Sequence, residues 1–512
     1  MTEGTTKQEG NKIIAKNAIF LYLRMFFTLG VSLYTSRVVL DALGVEDFGI
    51  YNVVGSIVLM LSFLNTSMSS ATARFITFEI GKKGKVQQVF TASVLIHIII
   101  AFLILVTGWV LGKFVIFEQL DIPLSRLTAA QWVYYFSLLS ASVAVLQVPY
   151  SAMVIAYEKF NVFAYVEIWN SILKLIVVYL LFNLDEDKLV IYGCLVFIVS
   201  IIIFLTYFIY AKNSFKDCAL DFNLDFLLIK RMFSFSGWDL YGNLSVLARM
   251  QGVNILFNVF FGALINAANG VATQVQSAVM AFANSAVTAV KPQIVKSYAS
   301  GDYVRTNELV LNAAKFTFII LLLVTLPLIF EMEYVLGLWL VKVPEYAVSF
   351  CQYILVFNFF ANTSFVIISA IHATGNVKRP SLINGTLYLL VVPLSYIAFS
   401  MGTGPIVSFQ INIFMVMLGM LSNAWTLNMY LPQFSIMSFV RQMMLPCLVI
   451  TFLSTIVLFA FVTMFEQGFV RLVITTTLSS VVILVASYLL ALDKKQKEWL
   501  LDMFFSKFNI KA

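Results

Sequence analysis

Apolar residues in this chain fall in long runs, with the charged residues gathered between them. Fourteen runs are long enough to cross a bilayer, at about 17–40, 48–68, 89–112, 131–155, 164–183, 189–210, 236–260, 265–289, 313–330, 347–370, 381–400, 406–428, 443–464 and 469–490. About 20 mostly apolar residues suffice for a spanning helix. The pattern therefore predicts an all-α, polytopic membrane protein of about 14 transmembrane helices. The seventh and eighth runs are the most polar.

The runs repeat. Ala42-Leu43 with Gly49-Ile50 recurs as Ala263-Leu264 with Gly270-Val271, an offset of 221. Arg74 and Gly84 match Lys291 and Gly301 at 217, and Ser151-Ala152 matches Ser369-Ala370 at 218. The expected organisation is a tail (1–16), a lobe of helices 1–6 (17–210), a linker (211–235), a lobe of helices 7–12 (236–428), two further helices (443–490) and a basic tail (491–512). Six helices per unit make this a parallel repeat, an arrangement that in transporters places substrate between lobes that rock. Asp221 to Leu228, and the tail with Trp499, Leu500, Met503, Phe504 and Lys507, suit helices lying on the membrane surface.

Composition agrees: 61% of residues are hydrophobic and 12% are charged, about half the charged share of a soluble domain. The charged connections alternate in sign. With the N-terminus in the cytoplasm, 24 Lys and Arg fall on that side, 6 on the other and 3 inside the membrane. Cations favour the cytoplasmic side, so both termini are expected there. The net charge of +7 is then an orientation signal and gives no ground for nucleic-acid binding. The apolar start is too long for a cleaved signal peptide, contains Arg24 and lacks a small-residue cleavage site; it reads as a retained first helix. Four separated cysteines and two histidines form no metal spacing. No phosphate-binding glycine loop, catalytic triad or carboxylate pair stands out. The chain is expected to be no enzyme, to need no cofactor and to draw energy from gradients or from use of its cargo.

Three cations sit inside apolar runs: Arg24, Lys174 and Arg249. A charge at the middle of a membrane helix costs ~2.5–3.5 kcal/mol on insertion scales, so such groups face protein or a wet cavity. All three are candidate anion contacts. At 100° per residue, Asn17, Arg24, Thr28 and Thr35 share one face of the first helix, with Ser32 at its edge. Glu167, Asn170, Ser171 and Lys174 share a face of the fifth. Arg249 is less clear, because the amides of its helix, Asn243, Gln251, Asn254 and Asn258, lie on another side; its partner is expected among distant acids such as Asp239 or Glu167. The eighth helix carries Asn266, Asn269, Thr273, Gln276 and Asn284 on one polar face, suited to sugar hydroxyls or to interhelical hydrogen bonds. Glu167, Asp239 and His97 are candidates for ion coupling or for a structural role.

Two stretches carry a resemblance. Arg37-Val-Val-Leu-Asp-Ala-Leu-Gly-Val-Glu-Asp-Phe-Gly-Ile-Tyr51 resembles the first hairpin of the polysaccharide-repeat (O-antigen type) flippases, within the multidrug, oligosaccharidyl-lipid and polysaccharide exporter superfamily. Ala373-Thr-Gly-Asn-Val-Lys-Arg-Pro380 resembles the glycine-basic-proline turn of that family. The resemblance implies two helical bundles around a cationic central cavity in the bacterial cytoplasmic (inner) membrane. It implies flipping of an undecaprenyl-pyrophosphate-linked oligosaccharide to the outer leaflet, with Arg24 meeting the pyrophosphate, among membrane lipids and alongside polymerase and ligase machinery. The alternatives are a cation-coupled multidrug exporter, a peptidoglycan-precursor flippase and a non-transporting scaffold of a polysaccharide assembly complex.

Overall fold

The computed structural model describes residues 2–61, 63–118, 123–182, 186–221, 225–340, 342–494 and 496–498, and regular structure among them is helical throughout. The helices are α1 Thr2–Leu61, α2 Phe63–Lys82, α3 Val86–Glu118, α4 Leu127–Ala156, α5 Phe160–Leu181, α6 Lys188–Ser214, α7 Phe226–Phe261 and α8 Ala263–Ala299. They continue as α9 Tyr303–Trp339, α10 Ala347–Thr374, α11 Lys378–Ser400, α12 Ile406–Tyr430, α13 Ile436–Val462 and α14 Phe469–Leu490. Twelve helices among the described residues are long and apolar enough to cross a membrane. Of the fourteen expected spans, the second and the eighth have no counterpart among these twelve. The second corresponds to the end of α1 plus α2, and the eighth is the amide-rich α8. The chain is a multi-pass, all-helical membrane protein.

The first two expected spans meet at a sharp break inside α1, where two helical segments join at Gly44. Gly44 holds φ +80° and ψ 169° inside α1, a backbone region open almost only to glycine. Three residues on, Asp47 accepts from Arg126 (Nε to Oδ1, 2.8 Å), whose Nη1 also reaches Asp187 at 2.8 Å. Asp187 in turn caps α6 by accepting from Leu189 N at 3.1 Å. One arginine thus ties the α1 kink, the start of α4 and the start of α6, and Leu43-Gly44 with Asp47 owe their place in the hairpin motif to that corner.

The chain divides into two compact units. Unit 1 holds residues 1–244, 291–301 and 375–378; unit 2 holds 245–290, 302–374 and 379–512. In unit 1, α1, α4, α5 and α6 pack on one another, with α2 and α3 against α4. The end of α8 belongs here because Glu158 takes Lys296 (2.5 Å) and Gln293 (2.7 Å). The turn at Gly375, in the second resemblance stretch, belongs here too: it packs on Arg74, itself set among Phe75, Phe78 and Phe235.

In unit 2, α10 packs on α9 and α12, and α13 and α14 lie along α9. Pro327 and the non-helical Glu331 (φ −107°) interrupt α9. The Glu331 carboxylate is 0% exposed and takes Arg471 of α14 through Nε (3.0 Å) and Nη2 (2.9 Å), plus the Thr475 hydroxyl (2.9 Å). Towards the opposite end of the helix pair, Lys315 Nζ donates to Ala491 O (2.6 Å) and Gln496 to Asn312 (3.0 Å). Rising numbers on α9 meet falling numbers on α14, so the two run antiparallel and are fastened towards both ends.

The linker departs from expectation. A short 3-10 turn, Lys216–Cys218, follows α6, and Phe226 already opens α7. The amphipathic stretch from Asp221 to Leu228 therefore ends inside α7; residues 222–224 lie outside the described residues. So does the tail from residue 499 onward, with its expected surface helix.

Candidate functional site

Unit 1 contains a cavity of about 580 Å³ lined by α1, α5 and α6. The polar stripe of α1 supplies Arg24, Thr28, Ser32 and Thr35; the face of α5 supplies Glu167, Asn170, Ser171 and Lys174. Helical spacing makes each a continuous strip, and contact of α1 with α5 turns the strips towards one space. Past the Gly44 kink, α1 returns Phe48 and Tyr51 to the same wall, and α6 adds Tyr192, whose ring lies 4.8 Å from that of Tyr51.

The charges here do not cancel. Arg24 and Lys174 face one carboxylate, Glu167, which feels both. Neither cation pairs directly with a carboxylate among the described residues. Arg24 lies over the Phe163 ring at 5.2 Å, and its Nε is buried with no hydrogen-bond partner. Glu167 receives a long hydrogen bond from the Tyr207 hydroxyl, at 3.5 Å. The cavity therefore carries a net positive charge and unspent donors, a combination that attracts anions where water is scarce.

Arg249 is in the other unit, beside a smaller cavity of about 80 Å³ that also takes Asn254, Asn269, Thr273 and Gln276. Among the described residues it has no acidic partner. Asp239 lies in unit 1, where it accepts from Asn243 (3.3 Å) and feels Lys291; Glu167 belongs to the Arg24 cavity. Arg249 donates instead to the Asn412 carbonyl and sits over Phe357 (5.1 Å) and Tyr388 (4.9 Å). Asn254 shares its cavity although the two are 140° apart on the helix, because the long arginine arm carries its head away from its own backbone position.

The other expected residues scatter. Asn266 is not at the cavity, and its Oδ1 is buried with no hydrogen-bond partner; Asn284 is exposed. Asn17 is buried and does not line the Arg24 cavity. His97 is fully buried in α3, its Nδ1 bound to Ser93 O at 2.7 Å, and it lines neither cavity. The aromatic wall of Phe48, Tyr51 and Tyr192, the Asn412 partner and the Glu331–Arg471 pair were not foreseen.

No family model and no curated protein matches the chain. Solved structures do. An outward-facing multidrug resistance MATE family transporter of the MOP superfamily matches with TM-score 0.73 at 16% identity, covering 83% of this chain and 97% of its own. A MATE crystal structure in the bent conformation gives 0.74 at 16%, covering 83% and 96%. A MOP superfamily transporter from Pyrococcus furiosus, described as having a binding pocket of reverse polarity that suggests a different function, gives 0.69 at 15%, covering 82% and 96%. At these identities the likeness establishes the fold: this chain is built as those transporters are.

Proposed function

We propose that the protein is a transporter of the bacterial cytoplasmic membrane that binds an anionic amphiphile in the unit 1 cavity. Its cargo is a lipid-linked oligosaccharide carried on undecaprenyl pyrophosphate, flipped from the inner to the outer leaflet. One observation carries this reading: Arg24 and Lys174 share a polar cavity with a single carboxylate, and Arg24 keeps a buried Nε without a partner. A pyrophosphate supplies the missing acceptors, and the hydroxyls and amide of Thr28, Ser32, Thr35, Asn170 and Ser171 replace water around hydrated groups. The lipid tail stays in hydrocarbon. With a negative interior, outward passage of the anion gains ~2.3 kcal/mol per charge per 100 mV, less whatever protein counter-charge travels with it.

A second reading, export of cationic drugs, is favoured by the fold shared with multidrug transporters. The charge of the unit 1 cavity opposes it. The two separate in vesicles containing the purified protein. Leaflet-resolved movement of a lipid-linked pyrophosphoryl sugar, lost in Arg24→Gln, supports the flippase. Efflux of a cationic dye that survives Arg24→Gln, with no lipid movement, supports the exporter.

A further inference from the structure

Arg249 is 8% exposed in a helix of spanning length, and its protein contacts are neutral: one amide carbonyl and two aromatic faces. Its Nε is buried without a hydrogen-bond partner. Glu331, the buried carboxylate of unit 2, is already taken by Arg471. A buried guanidinium without a counter-charge is strongly disfavoured, yet here it opens on a cavity of about 80 Å³.

The unmatched charge of Arg249, with the hydrogen bonds around that cavity, favours an anion. Asn254 Oδ1 is occupied by Asn269 Nδ2 at 2.5 Å, and Asn412 Oδ1 by Arg249. The hydroxyls of Thr273 and Ser408 donate to backbone carbonyls at 2.8 and 3.1 Å. The side-chain oxygens of Asn254 and Asn412 are thus engaged, which leaves their amino groups as donors beside the guanidinium; the oxygens of Asn269 and Gln276 are neutral acceptors that do not balance its charge. A cation finds no carboxylate there; an anion finds a positive charge and N–H groups.

Size sets the class. One water needs about 10–15 Å³ of such space, so about 80 Å³ holds a small ion with a few waters and no glycan. We propose that unit 2 carries its own site for a small monovalent inorganic anion of halide size, held by Arg249 with Asn412 and Asn254. The anion supplies the counter-charge that Arg249 does not receive from the described residues. This site is separate from the unit 1 cavity and does not depend on the cargo proposed for it.

The test is equilibrium binding of radiolabelled chloride to the purified full chain in detergent, with thermal unfolding in chloride and in gluconate at equal ionic strength. Wild type is expected to bind chloride saturably and to unfold at higher temperature in chloride. Arg249→Gln is expected to weaken binding about thirtyfold or more, the low end for loss of one partner of a buried charge pair. Asn412→Asp places a fixed carboxylate beside the guanidinium. It is expected to fold without chloride and to lose both chloride uptake and the chloride dependence of unfolding. Absence of saturable binding, or binding unchanged in Arg249→Gln or in Asn412→Asp, would overturn the proposal.

Discussion

The Glu331–Arg471 pair makes the sharpest stability prediction. The carboxylate is 0% exposed and the arginine 7%. Three N–H contacts at 2.9–3.2 Å join them, and the arginine's remaining reach goes to Phe465 O at 2.9 Å. Arg471→Met leaves Glu331 with only the Thr475 hydroxyl; Glu331→Gln leaves the guanidinium without its anion. Breaking one side of a buried pair costs about 3–5 kcal/mol, whereas replacing both sides with apolar groups is often close to neutral. Each single change is therefore predicted to cost about 3–5 kcal/mol and to loosen α14 from α9. Glu331→Leu with Arg471→Met is predicted to recover at least half of that loss. Reversible unfolding in mixed micelles measures all three. Single variants within about 0.5 kcal/mol of wild type, or a double variant whose loss equals the sum of the singles, would show that the pair does not hold α14 to α9.

Two further outcomes follow from backbone and burial. Gly44→Ala meets no atom within 4 Å and bears only the cost of its φ of +80°, about 1–3 kcal/mol. Gly270→Ala, equally uncrowded but within α8, is predicted to be neutral or to stabilise by up to about 1 kcal/mol; equal effects in an unfolding assay would refute the distinction. Cys218, in the turn between α6 and α7, has its thiol pushed up to about 12, first by burial and then by the Asp217 charge. Only the thiolate alkylates, so in a variant with Cys194, Cys351 and Cys447 changed to Ala, labelling is predicted to be slow at pH 8. Its rate is predicted to rise about tenfold per pH unit up to pH 10, and a plateau below pH 9 would contradict the assignment.

The two strips that form the unit 1 cavity were readable because polar groups at helical spacing stand out on apolar helices. Arg24, Thr28, Thr35, Glu167 and Lys174 needed only a 100° step to be grouped. What periodicity cannot supply is the partner across a helix boundary. Tyr51 and Tyr192 are 141 positions apart, and each alone looks like ordinary packing. Glu331 and Arg471 stand near helix ends, where charges are usually solvated, so neither announced a buried pair. Lys291, just past the eighth apolar run, looks like a loop charge, yet it lies within α8, interacts with Asp239 and donates to Ser70 at 3.3 Å. Arg249 misled in the opposite way. Its charge suggested an acidic mate, and the structure gives it an amide and two rings. The break at Gly44 falls between the first two apolar runs, where the sequence places it; the dihedral that makes it is not visible in composition.

Affinity of a short-chain prenyl pyrophosphate for wild type, Arg24→Gln, Lys174→Gln and the double variant tests the anion site most directly. Hydrogen bonds to charged groups contribute about 1.5–3 kcal/mol each, which is tenfold or more in Kd. Each single variant is predicted to bind at least tenfold more weakly, with Glu167→Gln binding more tightly than wild type. Unchanged affinity in Arg24→Gln and Lys174→Gln, or tighter binding of a cationic amphiphile than of the pyrophosphate by wild type, would contradict the account.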